Sequence, residues 1–265
     1  MFSWIQSNIP QHHTWVEVFG GSGVVTANKE PSNVEVYNDV DGDIVHFFTT
    51  LRDNGNELAE WLTQTPHSRE LHRKYAKEFY DGYRPNDDIE RAGRFFYLRY
   101  TQWGTKYTSF SGYNGGKERS AASSYQQATH RLNKWQERFK QVQIEQLDFE
   151  ELIERYDSKD TMFYCDPPYM DEGDDLYSHD GGFEHGRFVD SLIKSEGKWV
   201  VSYTRVPKPL REAAVCIDEK DRKVRMRQGQ GDWEKTNTER LIMNFNPERV
   251  DMFSGAEQSG LSKYS

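Results

Sequence analysis

The stretch Trp15-Val16-Glu17-Val18-Phe19-Gly20-Gly21-Ser22-Gly23 places a predicted β-strand directly before a glycine-rich loop. Glycine permits tight turning and lets the backbone approach a ligand closely. A second predicted strand, Val34-Glu35-Val36-Tyr37-Asn38, follows a helix-compatible segment and ends at Asp39. This order is typical of a nucleoside-binding βαβ unit: a strand, a glycine loop, a helix, a second strand and an acidic residue. The acidic residue of such a unit hydrogen-bonds to ribose hydroxyls. An ordinary turn between a strand and a helix is the alternative interpretation.

A second motif, Asp166-Pro167-Pro168-Tyr169, follows the apolar segment 161–165, which predicts a buried strand. Paired prolines have a fixed φ and no N–H, so they suit a rigid strand exit. This exit presents a carboxylate, backbone carbonyls and an aromatic ring, which together suit a planar base with an exocyclic amine. A strand followed by a structural proline turn is the alternative. Beside the motif, Cys165 is interpreted as a small buried strand residue and not as a nucleophile.

The charge of the chain is segregated along the sequence. Residues 67–140 hold 15 Lys and Arg against 8 Asp and Glu, whereas the rest holds 19 against 35. Such a basic block, in which aromatic residues are interleaved, suits phosphate contact and base stacking. The residues predicted to contact DNA are Arg91, Arg94 and Arg99 on a helix, and Ser109, Tyr113, Asn114 and Lys117 in the loop Ser109–Lys117. A helical subdomain with a solvated basic face is the alternative.

Length and composition exclude several classes of protein. The chain has 265 residues, enough for one large α/β domain with an insertion. Two cysteines are too few for a disulfide framework or a cysteine-rich zinc site. No apolar run is long enough to cross a bilayer, and no signal peptide follows Met1. We therefore expect a soluble, cytoplasmic protein.

Local patterns predict the other elements. The predicted helices are Ile44–Leu51 (ending near Asp53–Gly55), Phe149–Tyr156 and Phe183–Lys194, and the predicted strands are Val142–Leu147 (ending at Asp148), Lys198–Tyr203, Val215–Gln228 and Glu239–Asn246. The loop Gly229–Asp232 joins the last two strands. Residues 171–182 form an acidic segment that resembles a metal cluster, but we interpret it as a mobile loop beside the active site.

In this order the motifs resemble the Dam-like class of DNA adenine-N6 methyltransferases, in its α-group with the D-P-P-Y motif, over about residues 14–247. The segment Phe19–Gly23 is similar to the F-x-G-x-G cofactor loop of that class, and Asn38-Asp39 to its N-D pair. The segments Trp199–Thr204 and Glu239–Phe245 are similar to its later strand motifs.

The resemblance implies an α/β fold with a Rossmann-like methyltransferase sheet of about seven strands, the last of them antiparallel. Residues 1–53 and 141–265 would form the catalytic, cofactor-binding domain, and residues 54–140 a helical DNA target-recognition insertion. The implied cofactor-binding residues are Phe19, Gly20, Gly21, Ser22, Gly23, Asp39 and Asp148, and the implied catalytic residues are Asp166, Pro167, Pro168 and Tyr169.

The implied reaction is methyl transfer from S-adenosylmethionine to adenine N6 in a specific double-stranded DNA sequence, after the base has flipped out of the duplex. No metal and no membrane take part. A cognate restriction endonuclease acting separately is an expected partner, and the expected location is the cytoplasm of a prokaryotic or virus-infected cell.

Several alternatives stay open at this point. Cytosine-N4 or RNA adenine methylation would use the same exit, because D-P-P-Y accommodates any exocyclic amine. A nucleotide-binding oxidoreductase normally has a G-x-G-x-x-G spacing that this chain lacks. The family carries a lysine-containing Y-P-G-G-K-like segment before its first helix, whereas this sequence begins with Met1-Phe2-Ser3-Trp4 inside that helix, and Gly115-Gly116-Lys117 lies in the insertion. We therefore expect weak cofactor binding and a reading frame that extends upstream; a catalytically idle DNA-binding relative is the non-enzyme alternative.

Overall fold

The computed structural model describes residues 2–102, 112–115, 120–169, 182–228 and 231–247, and for residues 222–237 only the backbone. The chain divides into two compact units. The first contains Met1–Val40 and Leu147–Ser265, and the second contains Asp41–Gln146. Among the described helices, none combines the length and the apolar character needed to cross a membrane.

A seven-stranded mixed sheet organises the fold, with the order β3-β2-β1-β4-β5-β7-β6. The strands are β1 (Thr14–Glu17), β2 (Val34–Asn38), β3 (Gln143–Glu145), β4 (Thr161–Cys165), β5 (Lys198–Tyr203), β6 (Cys216–Gln228) and β7 (Gly231–Met243). The pairs β1–β2, β1–β4 and β4–β5 are parallel, whereas β7 runs antiparallel to both of its neighbours. The predicted α/β sheet with an antiparallel last strand is confirmed.

Helices cover both faces of the sheet in the first unit. One face, which includes Val16, Phe163 and Val201, packs against α7 (Phe149–Tyr156), α8 (His185–Lys194) and α9 (Lys208–Ala213). The other face, which includes Trp15, Tyr164 and Val200, packs against α1 (Phe2–Ser7) and α2 (Val24–Asn28). Every residue of β4 is buried, as expected for a parallel strand covered on both sides.

The strand order reverses between β1 and β4, because the chain continues from β1 outward to β2 and later returns to β4 on the other side. In the parallel register Glu17 lies beside Tyr164, and the Val18 N–H donates to the Tyr164 carbonyl at 2.9 Å. Ligands of open α/β sheets bind at such a reversal, outside the carboxyl ends of the strands. The glycine loop after β1 and the proline exit after β4 therefore leave the same edge of the sheet from adjacent strands.

The second unit is helical, with α3 (Gly42–Gln64), α4 (Arg69–Tyr80), α5 (Asp88–Thr101) and α6 (Ala121–Phe139). Side-chain caps begin these helices: for example, Asp87 accepts from the Glu90 N–H at 2.7 Å and Ser120 from the Ser123 N–H at 3.1 Å. Aromatic rings fill the space where α3 packs on α5 and α6, with ring pairs such as Phe48 with Phe139 at 4.8 Å.

Two boundaries differ from the sequence prediction by about eight residues or more, and the others by at most three. The helix predicted to end near Asp53–Gly55 is interrupted there, since Asn54 (φ −132°, ψ 34°) is non-helical and kinks α3, but a second helical segment carries α3 on to Gln64. Just after the kink Gly55 packs against α6, where an added Cβ would lie 2.6 Å from the Gln136 side chain. The compact second unit begins at Asp41, and the recognition insertion predicted over residues 54–140 lies within it and stays a prediction. The last strand begins at Gly231 and not at Glu239, because β6 and β7 pair along their whole length from Gln228 opposite Gly231.

Candidate active site

The D-P-P-Y exit folds back on itself at the carboxyl end of β4. The Tyr169 hydroxyl donates to Asp166 Oδ1 at 3.0 Å and lies 3.1 Å from Ser202 Oγ on β5. Pro167 is buried and Pro168 is exposed, whereas Asp166 has an exposed surface although its carboxyl lies among packed protein groups. The Tyr169 side chain is 42% exposed, so part of its ring is accessible to a planar group. The exit thus presents a fixed carboxylate and an accessible aromatic ring.

The groups around Asp166 shift the pKa of its carboxyl in opposite directions. Desolvation by the packed groups around the carboxyl raises its pKa, and the negative charge of Glu239 on β7 raises it further. Hydrogen bonds from Tyr169 and Ser202 stabilise the carboxylate and counteract part of this rise. The net result is a raised pKa, which makes the Asp166 carboxylate a better proton acceptor than an ordinary aspartate.

A buried carboxyl group, Glu17, lies at the end of β1, beside the strand that leads to Asp166. Glu17 Oε2 accepts from the Thr26 N–H at 3.0 Å and from the Thr26 hydroxyl, which in turn accepts from Trp15 Nε1 at 2.8 Å. Burial raises the pKa of Glu17 to about 8, and the charge of Asp166 contributes to the rise. Glu17 is therefore mostly protonated at neutral pH and ties β1 to α2.

Sequence reasoning did not assign a role to Glu17, Ser202 or Glu239. All three are buried, and by strand alternation they lie on the face of the sheet that includes Trp15. The available signal was a polar residue at a buried position of an apolar strand, as in Trp-Val-Glu-Val-Phe. Together they form a polar row at the edge where Asp166 leaves the sheet.

The glycine loop is bonded to the end of β2. The Gly20 N–H donates to the Asn38 carbonyl at 2.7 Å, and the Gly21 N–H donates to Asp39 Oδ2 at 2.8 Å. Gly21 and Gly23 have φ values of +47° and +64°, a region that side chains other than glycine rarely adopt. The predicted cofactor loop and the predicted ribose-binding acid Asp39 therefore lie together, and Ser22 is exposed between the two glycines.

Two close contacts fix the shape of the loop. A Cβ on Gly20 would lie 2.2 Å from the Tyr37 ring, whose hydroxyl donates to the Gly21 carbonyl at 2.8 Å. The Phe19 ring packs in a cluster with three other aromatic rings, 5.2–6.1 Å away: Phe149, Phe183 and Phe188. The Phe19 side chain thus anchors the loop to α7 and α8, and its predicted contact with the cofactor stays a prediction.

Asn38 joins the ends of three neighbouring chain segments. Its Nδ2 donates to the carbonyls of Val18 at 3.0 Å and Leu147 at 3.1 Å, and its Oδ1 accepts from the Leu147 N–H at 2.8 Å. The next residue, Asp148, caps α7 and pairs with Arg187 at 2.7 Å. Asp148 therefore lies at the correct edge of the sheet, although its carboxylate already has protein partners and its role toward a cofactor stays a prediction.

The arginines predicted to contact DNA have partners inside the second unit. Arg91 pairs with Asp43 at 2.9 Å. Arg94 pairs with Glu90 at 2.6 Å and also with Glu78. The Arg99 guanidinium lies 5.0 Å from the Phe95 ring centroid. These contacts give the three side chains a structural role, and their contact with DNA stays a prediction.

The described part of the predicted base-reading loop is attached to the end of α5 and the start of α4. Tyr113 forms an antiparallel bridge with Gln102, and its hydroxyl lies 2.6 Å from His67 Nδ1. The Arg69 guanidinium lies 4.7 Å from the Tyr113 ring centroid, and the Asn114 N–H donates to the Thr101 carbonyl at 2.7 Å. The predicted contacts Ser109 and Lys117 lie outside the described residues.

Two further predictions concern cysteine and metal chemistry. Cys165 is fully buried and burial raises the pKa of its thiol, so the interpretation as a buried strand residue is confirmed. Among the described residues, no group of three or more His, Cys, Asp or Glu side chains could hold a metal ion. The acidic segment 171–181 lies outside those residues.

Comparison with known proteins identifies the family. A family model described as D12 class N6 adenine-specific DNA methyltransferase matches residues 1–201, which include the glycine loop, Asp39 and the D-P-P-Y exit. A search among curated proteins gives no match. The class acts on adenine in DNA, unlike the cytosine and RNA alternatives. Its members are transferases. The chain belongs to the D12 class of N6 adenine-specific DNA methyltransferases.

Proposed function

We propose that this enzyme transfers the methyl group of S-adenosylmethionine to N6 of adenine within a specific double-stranded DNA sequence. The observation that carries the proposal is the position of Asp166. Its carboxylate leaves β4 beside the glycine loop of β1, at the reversal point of the sheet, and accepts a hydrogen bond from Tyr169. Family membership supports adenine as the target.

The residues at the sheet edge fit this cofactor. When bound, S-adenosylmethionine supplies a methyl group on a positively charged sulfur, which becomes a neutral thioether once the methyl carbon has bonded to N6. The carboxylates Asp39 and Asp166 at this edge favour a cation electrostatically. The backbone of Gly20–Gly23 and the carboxylate of Asp39, which lie within hydrogen-bond distance of each other, would hold the adenosine part.

Asp166 performs the proton chemistry. The adenine amine is a weak nucleophile because its lone pair is delocalised into the ring, and hydrogen bonds to Asp166 and the Pro167 carbonyl draw it toward a tetrahedral geometry. A carboxylate has about four lone-pair sites, so Asp166 can keep its bond from Tyr169 while it accepts from the amine. N6 must release one proton when it is methylated, and the raised pKa of Asp166 suits it as the acceptor.

The base must leave the duplex to reach Asp166, which costs a few kcal/mol. Stacking on the accessible ring of Tyr169 offsets part of this cost. Target recognition is assigned to residues 54–140, within the helical second unit, because the excess of basic residues lies there. The specific sequence and a separate restriction endonuclease stay predictions.

Nucleoside mass spectrometry tests the proposal. The purified protein is incubated with duplex DNA and S-adenosylmethionine, the DNA is digested, and N6-methyladenine is the expected product. Asp166→Ala should fall below about one hundredth of the wild-type single-turnover rate, the lower bound for a positioned proton acceptor. Asp160→Ala is the matched control, because Asp160 is exposed just before the other end of β4. N4-methylcytosine as the product, or an Asp166→Ala rate above about a tenth of wild type, would overturn the assignment.

Cofactor binding is tested separately by calorimetry. Losing one hydrogen bond to a charged group typically costs about 1.5–3 kcal/mol, or about ten- to a hundred-fold in affinity. We expect Asp39→Ala to weaken S-adenosylmethionine binding by that factor, and Asp160→Ala to leave it unchanged. Equal affinities of Asp39→Ala and wild type would exclude Asp39 from the cofactor site.

A further inference from the structure

The outward face of α6 has an unusual composition for this acidic chain. No Asp or Glu occurs from Ser120 to Gln136, although the chain holds 43 of them. By contrast, α3, α4 and α5 each expose at least one carboxylate, for example Glu57, Glu70 and Asp88. The polar side chains that α6 exposes before residue 137 are all uncharged or basic: Ser123, Ser124, Gln126, Gln127, His130, Arg131, Asn133 and Lys134.

The opposite face of α6 fixes the helix in the second unit. Tyr125, Ala128 and Leu132 are buried, and the Tyr125 hydroxyl donates to the Leu62 carbonyl at 2.9 Å. The Tyr97 and Tyr125 rings pack edge to face with centroids 5.6 Å apart. The helix is therefore held by its apolar side, and its polar side is presented to solvent on a rigid support.

Three polar side chains of this face have no partner among the described residues, although Ser124 on the same face donates to the Ser120 carbonyl at 3.2 Å. Within the part of the chain that the structure describes, Gln127, Arg131 and Lys134 form no side-chain hydrogen bond and no ion pair. Arg91 and Arg94, in contrast, pair with carboxylates. A paired guanidinium attracts an external anion less strongly, because the nearby carboxylate cancels much of its field. Arg131 and Lys134 are thus better suited than Arg91 and Arg94 to neutralise phosphates.

We infer that the outward face of α6 lies against the DNA substrate, with Arg131 and Lys134 contacting phosphates. Ser123, Gln127 and Lys134 follow one stripe of the helix, which is roughly 16 Å long. The major groove of B-DNA admits an α-helix, and hydroxyl and amide side chains such as these bind base edges there. The inference rests on the proposed function in one respect, namely that duplex DNA is the partner.

Salt-dependent DNA binding tests this surface without any methylation step. Fluorescence anisotropy is measured on a labelled duplex at a series of salt concentrations, for wild type and for the double variant Arg131→Gln/Lys134→Gln. The slope of log affinity against log salt should decrease by up to about 1.8, or about 0.9 for each lost phosphate contact. Both residues are exposed and form no ion pair within the described part of the chain, so the melting temperature should not change.

The matched control is Lys159→Gln/Lys194→Gln. It removes the same charge from two exposed positions near the amino ends of β4 and β5, away from the sheet edge that carries Asp166. We expect the control to keep the wild-type slope. An unchanged slope in the α6 variant, or an equal loss in both variants, would overturn the role of α6. A wild-type protein that does not bind duplex DNA would overturn the proposed function as well, so the two failures are distinguishable.

Discussion

Tyr169 Oη donates to Asp166 Oδ1 at 3.0 Å, so the last residue of the D-P-P-Y exit is bonded to the first. This bond gives Tyr169 two separable contributions. Its hydroxyl stabilises the charged form of Asp166, and its ring, which is partly exposed, can stack on a base. The tyrosine therefore influences both the proton acceptor and the placement of the target.

Substitutions of Tyr169 separate these contributions. Tyr169→Phe keeps the ring and should retain most of the single-turnover rate near neutral pH. Tyr169→Ala also removes the stacking surface, which is worth about 1–3 kcal/mol per base, and should lose about ten- to a hundred-fold in rate. Single-turnover methylation of one duplex measures both variants. Equal losses in the two variants would show that the ring does not hold the base.

The pH dependence of methylation should respond in opposite directions to changes at Ser202 and Glu239. Asp166 must be ionised to accept from the amine, so activity falls on the acid side as Asp166 becomes protonated. Ser202→Ala removes a donor to the carboxylate and should move this acid limb to higher pH. Glu239→Gln removes a neighbouring negative charge and should move it to lower pH.

Profiles of kcat/KM against pH for both variants and wild type decide this prediction. Because the shifts have opposite signs, a general loss of stability cannot imitate them. Shifts in the same direction, or an acid limb that neither substitution moves, would mean that the limb reports a group other than Asp166.

Glu17 should make the stability of the protein depend on pH. Its folded-state pKa of about 8 lies above the ordinary value of 4.5, so the folded state binds more protons between these values. Stability then decreases as pH rises through this window, by at most about 1.4 kcal/mol per pH unit. Glu17→Gln cannot ionise and should lack this decrease. Urea unfolding across the window measures it, with the exposed Glu30→Gln as the control; identical pH dependences of Glu17→Gln and wild type would contradict the assignment.

We expect substitution of Arg94 to affect mainly stability, and substitution of Arg131 to affect mainly DNA binding. The Arg94 side chain is only 13% exposed and pairs with Glu78 and Glu90, so Arg94→Gln leaves two partly exposed carboxylates without this partner and should cost about 1 kcal/mol of stability. Arg131→Gln should leave stability unchanged and weaken DNA binding. Urea unfolding and anisotropy measure the two effects. A stable Arg94→Gln protein with weakened DNA binding would instead support the contact predicted from sequence.

Much of the sheet could be predicted because its signals are local. Short apolar segments bounded by turn residues gave β2, β4 and β5 with the bounds that the structure has, and α7 likewise. The end of α3 could not be predicted in this way. Asn54-Gly55 is a strong local turn signal and α3 is kinked there, but the helical segment that follows packs against α6 through contacts far away in sequence, such as that of Gly55 with Gln136.

The candidate site likewise combines residues with a local sequence signal and residues brought together only by the fold. Asp166 and the glycine loop could be predicted because each motif is contiguous. Ser202 and Glu239 influence Asp166 only because the sheet order places β5 and β7 next to β4 in succession. Similarly, the pairing of Arg91 depends on Asp43, 48 residues earlier in the chain. Charge counting along the sequence finds a basic segment but cannot tell which of its cations are neutralised within the fold.

The hydrogen bonds of Asn38 have a consequence for how such enzymes diversify. The chain leaves the first unit after Val40 and returns to it at Leu147. The side-chain amide of Asn38 donates to the Leu147 carbonyl and accepts from the Leu147 N–H. The residues that flank the intervening segment are therefore hydrogen-bonded to each other within the first unit. The helices of this segment carry the proposed DNA recognition, whereas its last strand, β3, belongs to the sheet. If that proposal holds, a change of DNA specificity needs replacement of the helices alone, with β3 and the site that carries Asp166 kept.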